Sequence, residues 1–411
     1  MITVSRKLLA SVVVFGALAL GAQETPVKEE VKKESRKEES SVPDWVKKLE
    51  IKGDFRFRYQ YQNFEDAVQD DTLERNRLLY RARIGLDAEV NDWAKVHFGI
   101  ASGSAETKIS ENMPTQALGQ DARTSNQPFD DFFSRKPLWI DHAYGEISPW
   151  SWLTIMGGKM KNPLHTASQL LWSAEVNPEG AAVTFAYPII DELTILADAA
   201  ILVLDEIKAL DDPLLAVAQV GAAVTVDDFD GKFVIGYYDP MYLYNADSNT
   251  AHALEIKKLI REGYYWKNIQ ALFNVAYTLE KKYQIGLFGE MTANLYEFNE
   301  EAPLGEKADE TLAWLVGAKG GTKALKDLGD FQLTLGYRQA GIASWLPLFS
   351  EPVVFNGKLN GEGIDFNGQV GFYKGLSAAV TFNYFWTKNA EFNAGETDSD
   401  IIFMLDMNYK F

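Results

Sequence analysis

The chain has 411 residues, no cysteine and a formal net charge of −18. The missing thiols exclude a disulfide scaffold, a thiolate metal site and a lipid-modified N-terminal cysteine. The acidic balance argues against nucleic acid as a partner. Apolar residues make up 46% and aromatics 13%, yet no run of about 20 apolar residues offers a helical membrane span.

Residues 1–22 read as a secretory signal peptide. Arg6 and Lys7 form a charged start, Leu8 to Leu20 is almost wholly apolar, and Ala19, Gly21 and Ala22 offer a cleavage site. Removing it takes the two positive charges away, from −18 to −20. Residues 23–44 are crowded with Glu and Lys and carry no aromatic before Asp44. Such a stretch cannot build a core. It reads as a charged periplasmic linker, with an envelope tether as the alternative.

From residue 45 onward the pattern is period two, and strand side chains alternate between faces. In 49–61, Leu49, Ile51, Phe55, Phe57, Tyr59 and Tyr61 share one face; Lys52, Asp54, Arg56, Arg58 and Gln60 share the other. In 75–90, Leu78, Tyr80, Ala82, Ile84, Leu86, Ala88 and Val90 oppose Arg75, Arg77, Arg81, Arg83, Asp87 and Glu89. An arginine facing lipid near the midplane costs roughly 2–4 kcal/mol, so the apolar row must face lipid. Further segments are expected at 94–102, 138–148, 152–161, 179–187, 193–204, 214–226, 232–242, 266–279, 283–294, 312–325, 331–339, 364–373, 376–386 and 400–411, sixteen in all. The faces of 138–148 and 193–204 are ambiguous. Short connections alternate with long ones at 62–74, 103–137, 162–178, 205–213, 243–265, 295–311, 340–363 and 387–399.

The expected fold is all-β: a transmembrane antiparallel β-barrel of about 16 strands over 45–411, with short periplasmic turns and long extracellular loops. The last strand ends in Leu405, Met407, Tyr409 and Phe411 on one face. An alternating apolar row closed by a terminal aromatic resembles the insertion signal read by the barrel assembly machinery.

The stretches GDFRFRYQY at 53–61, RNRLLYRARIGLDAEVND at 75–92, SRKPLWIDHAYGE at 134–146, GGKMKNPL at 157–164 and LLWSAEVNPEG at 170–180 resemble the putative porin family of Gram-negative bacteria. The resemblance implies an outer-membrane channel for passive diffusion of small hydrophilic solutes and ions. It implies outer-membrane lipid and lipopolysaccharide as surroundings and a homotrimer by analogy. It supplies no substrate and no cofactor; the alternative is a substrate-selective porin, for an anion such as phosphate or for sugars.

The expected pore-lining residues are Arg56, Arg58, Arg75, Arg77, Arg81 and Arg83, with Asp54 and Asp87. Guanidiniums stay charged, so the row can act as a filter; alternatively, carboxylates neutralise it and it braces the wall. The loop that narrows the pore is either 103–137, with Asp121, Asp130 and Asp131, or the nearly uncharged 162–178. Trp139, Trp172 and Trp345 would suit a sugar path if they point inward. Acids of 62–74 and 295–311 could hold divalent cations against lipopolysaccharide, or simply be solvated. His97, His142, His165 and His252 show no HExxH spacing, and there is no GxSxG elbow. Neither an enzyme nor a bound metal is expected.

Overall fold

The computed structural model describes residues 48–66, 71–103, 122–246, 260, 263–296, 308–351, 359–389 and 397–411. The leader and linker read at 1–44 lie outside these.

The described residues form β1 (Leu49–Asp66), β2 (Asp71–Asn91), β3 (Ala94–Ser102), β4 (Gln127–Pro128), β5 (Leu138–Trp150), β6 (Leu153–Lys159), β7 (Glu179–Ile190), β8 (Leu193–Val203), β9 (Leu214–Val226), β10 (Phe229–Met241), β11 (Asn268–Leu279), β12 (Tyr283–Asn294), β13 (Leu312–Thr322), β14 (Phe331–Ala340), β15 (Gly361–Tyr373), β16 (Leu376–Thr387) and β17 (Thr397–Lys410). Sixteen of them form a closed antiparallel ring in sequence order, and β1 pairs with β17 to shut it. β4 stands outside the ring, paired only with β2. Closure leaves no unpaired edge, which is what a lipid setting demands of a sheet.

Each of the sixteen expected segments is a ring strand. The bounds of β3, β9 and β12 match to the residue. On β1, Ile51 and Phe55 are exposed outward while Arg58, Gln60 and Gln62 are buried inside. On β2, Leu78, Ile84 and Val90 are exposed while Leu79 and Arg81 are buried.

Three expectations need correction or completion. The connection at 62–74 is not a long loop. β1 and β2 stay paired up to Asp66 opposite Asp71, leaving only 67–70 between them. Tyr59 and Tyr61 hydroxyls donate to Asn76 and Glu74 across this extension. On β5 the alternation reverses at Asp141. Ile100 pairs with Ile140 and Gly99 with His142, so Asp141 is the extra residue of a β-bulge. Leu138 and Ile140 are exposed before it, Ile147 after it, and His142 is buried. Gly99 makes room, since a Cβ there would lie 2.2 Å from the His142 ring. On β8 the inward face is Leu196, Asp198, Ala200 and Leu202, mostly apolar, while Ile201 and Val203 are exposed outward.

The inner apolar face of β8 has a partner. Residues 160–178, between β6 and β7, fold into the barrel. Met160, Leu164, Leu170, Leu171, Trp172 and Val176 pack against inward Ala182, Ala200, Leu202, Leu215, Val217 and Tyr238. Trp345, from the segment after β14, joins with no exposed surface. Trp345 Nε1 donates to the Leu171 carbonyl at 2.8 Å, and Phe349 stacks on Trp172. A hydrophobic plug therefore fills the side of the lumen bounded by β7 to β10.

Candidate functional site: the lumen passage

The plug is fixed at two points by carboxylates. Glu290 on β12 is buried and accepts from Ala167 N at 3.2 Å, Ser168 N at 3.0 Å, Ser168 Oγ at 2.9 Å and Gln270 Nε2 at 2.6 Å. Its neighbours Gln219 and Tyr238 hydrogen-bond to Gln270, and Gln219 also holds the backbone of His165. Burial and the Lys232 charge lower the His165 pKa to about 4, so at neutral pH the ring is uncharged beside Asp198, 3.3 Å away.

The second point is Glu175. One oxygen accepts from Ser125 N and Oγ, both at 2.5 Å; the other accepts from Arg81 at 2.6 Å and lies 3.5 Å from Arg56. Burial works against ionisation here, but Arg81 and Arg56 outweigh it and hold the carboxyl at about 2. The plug thus stretches from the β12 wall to the β1–β2 wall.

Beside it lie two adjoining cavities among the described residues. One cavity of about 710 Å³ lies between plug residues Thr166, Ser168, Gln169 and Glu175 and the wall formed by β12 to β17, β1 and β2. A second of about 810 Å³ adjoins it and shares Arg83, Ser168, Glu175 and Lys410. The basic lining of the first comprises Arg56, Arg58, Arg81, Arg83, Arg123, Arg338 and Lys410; the acidic lining comprises Glu175, Glu351, Asp365 and Asp406. Amides and hydroxyls of Asn367, Gln369, Thr381, Asn383 and Asn408 complete it.

Most of these charges are matched. Arg58 grips Asp406 with two 2.7 Å hydrogen bonds. Arg338 does the same to Asp365 at 2.6 and 2.9 Å. Asp54 takes one hydrogen bond from Arg81 and one from Arg83. Arg56 donates to Asn126 at 2.5 Å, and its buried Nε has no hydrogen-bond partner. Four arginines of β1 and β2 therefore meet three carboxylates, and both readings of the ladder have support: it braces the wall and retains positive charge.

The structure brings Asp54, Arg56, Arg58, Arg81 and Arg83 together along the passage. Arg75 and Arg77 lie farther along β2 and line neither cavity; Arg75 is exposed. Asp87 belongs to another cluster near the short-turn end, accepting from Lys52 at 3.1 Å and His97 at 2.7 Å. Of the two candidate narrowing loops, 162–178 supplies the inner wall and 122–126 supports it. Asp121 lies outside the described residues. Asp130 pairs with Lys136 rather than with the ladder. In 295–311, Glu310 is buried and ion-paired with Lys388, so it is not a free ligand for a surface cation. Trp172 and Trp345 are locked in the plug, and Trp139 Nε1 donates to the Gly103 carbonyl.

Glu175, Glu290, Asp365 and Arg338 were not anticipated. Glu175 left one clue: it is the lone acid in 162–178, and an isolated carboxylate in an apolar loop asks for a buried partner.

The ring closes at the row expected to signal assembly. Met407, Tyr409 and Phe411 point outward and exposed, with Leu405 half-buried on the same face. Phe411 and Gly53 exchange two backbone hydrogen bonds of 3.0 Å.

The family described as putative porin matches residues 22–73 and 66–262, together more than half of the chain. No curated protein matches it. Among solved structures, Pseudomonas putida OprB at high pH superposes with a TM-score of 0.55 at 10% identity, covering 90% of this chain and 96% of that one. Salmonella typhi OmpF in complex with daunomycin gives 0.51 at 10% identity, covering 88% and 97%. At such identities the likeness concerns the fold.

Proposed function

The chain belongs to the putative porin family of outer-membrane channels, and from that premise we propose that it passes small hydrophilic solutes and ions by passive diffusion along the passage beside the plug. The observation that carries the reading is the lining. A closed ring holds a path edged by seven basic and four acidic side chains plus a row of amides and hydroxyls. Charges at a narrow, low-dielectric section act on every ion that crosses it. Because the basic groups outnumber the acids there, the channel favours anions even though the whole chain is acidic. A sugar-selective path is less well supported, because two of the three candidate tryptophans are packed inside the plug.

In this reading residues 1–22 direct export and are removed, 23–44 link the barrel to the periplasm, the barrel assembly machinery inserts the chain, and three copies assemble. Planar-bilayer conductance with reversal potentials in a salt gradient tests the proposal. Anion-selective ohmic conductance supports it; absence of conductance in correctly folded protein overturns it.

A further inference from the structure

Outside the lumen, the segment after β4 carries an apolar pair with no packing partner among the described residues. β4 adds to β2 opposite Leu79 and Tyr80, and Phe129 N donates to the Leu78 carbonyl at 3.0 Å. The Phe129 ring lies 5.9 Å from Phe57 and 5.7 Å from Tyr80. Those two are partners in register on the outward row, so Phe129 sits on the outside of the wall. Phe132 and Phe133 follow, completely exposed, at φ 47° and 68°. Bulky side chains rarely adopt left-handed φ, and here the turn throws both rings outward. Exposed Arg135 and then Lys136 come next.

The height of this segment follows from strand geometry. Eleven residues along β2 separate Tyr80 from Asn91 at its short-turn end. At about 3.3 Å per residue and roughly 40° of tilt that is about 28 Å, close to the roughly 30 Å hydrocarbon layer. Residues 129–136 therefore lie toward the long-loop face, where aromatic residues collect.

We propose that Phe132 and Phe133 are a lipid wedge. They insert into the outer-leaflet boundary beside β2, and Arg135 meets headgroup phosphates. Three observations select lipid as the occupant. The rings continue the lipid-facing row of Phe57, Tyr80 and Phe129. They carry no polar tip to satisfy. They project, so they need a yielding medium rather than a matching pocket. A second copy of the chain is the competing occupant.

The chain has no cysteine, so Phe132→Cys and Phe133→Cys each give a single labelling site. Each variant is labelled with an environment-sensitive fluorophore and reconstituted in vesicles containing lipopolysaccharide. Lys208→Cys, on an exposed loop, is the aqueous reference. The expected result is quenching by lipid-borne nitroxide several-fold stronger than at Lys208→Cys, with iodide quenching correspondingly weaker and conductance unchanged. Iodide access equal to that of the reference overturns the wedge. So does disulfide cross-linking of Phe132→Cys between two copies, which would make the occupant a neighbouring subunit. Neither result bears on whether the lumen conducts.

Discussion

Arg58 and Asp406 stand opposite each other on the first and last strands of the ring, and the guanidinium holds both carboxylate oxygens at 2.7 Å. The pair lies on the seam, so it joins chain segments 348 residues apart. Both side chains are nearly buried. Removing one partner leaves a charge without its counter-ion, a loss of about 3 kcal/mol for a buried pair. Asp406→Ala and Arg58→Ala should each lower the unfolding free energy in vesicles by roughly that amount, and the double variant by clearly less than the sum. Additive losses in urea titrations would mean that the pair is not coupled.

The faces of β17 give a second expectation. Leu405→Arg places a charge toward lipid, at a cost that rises with depth to about 2–4 kcal/mol at the midplane. Ser377→Arg, on the passage side of β16, should cost little. Equal destabilisation of the two variants would reverse the assignment of faces.

Glu175 makes the pH behaviour definite. Its folded pKa is depressed, from an ordinary 4.5 to about 2. The stabilisation it provides is therefore complete above about pH 5, where the unfolded carboxyl is also ionised, and is lost as pH falls through about 2. Conductance and selectivity should be flat from pH 7 to 5 as far as this group is concerned. Glu175→Gln should mimic the acid state at neutral pH by taking the carboxylate away from Arg56 and Arg81, while Arg81 keeps Asp54. Its reversal potential should move further toward anions; a shift toward cations would contradict the clamp.

Position along β1 and β2 should decide which arginines filter. Arg56→Ser removes a passage charge whose one carboxylate contact among the described residues is at 3.5 Å. Arg75→Ser removes an exposed charge beyond both cavities. At about 0.15 M salt, where screening extends roughly 8 Å, the first variant should shift reversal potential toward cations and the second should not. Matching reversal potentials for the two would remove the local-filter account.

Gly53 and Phe411 govern closure. A Cβ on Gly53 would lie 2.4 Å from the Phe411 ring and 2.7 Å from the Arg83 carbonyl oxygen. Gly53→Val and deletion of Phe411 should both reduce the yield of heat-resistant barrel, read as a mobility shift on gels. Normal yield from both would show that the terminal contact is dispensable for assembly.

The sixteen strands were legible because one face meets lipid and the other meets water over most of the ring. Legibility failed where that contrast failed. β8 presents Leu196, Ala200 and Leu202 inward because the plug, not water, covers them, so period two disappears. β5 hid its faces because the Asp141 bulge changes parity in mid-strand. The arginine ladder and its neighbour Asp54 were visible as a pattern, but the distant counter-charges were not. Glu175 lies 94 residues from Arg81 and Asp406 lies 348 from Arg58, and nothing local announces such pairings.

The plug gives this barrel a second kind of cohesion. Trp345, Met160 and Leu171 have no exposed surface, so melting it must wet apolar groups inside the ring. Exposing such surface raises heat capacity and bends the stability curve. A water-filled ring would lack that contribution, since its inner wall is already hydrated. Calorimetry should therefore find in the lumen the signature of an ordinary soluble core, with resistance to cold as well as to heat set by residues that never touch the membrane.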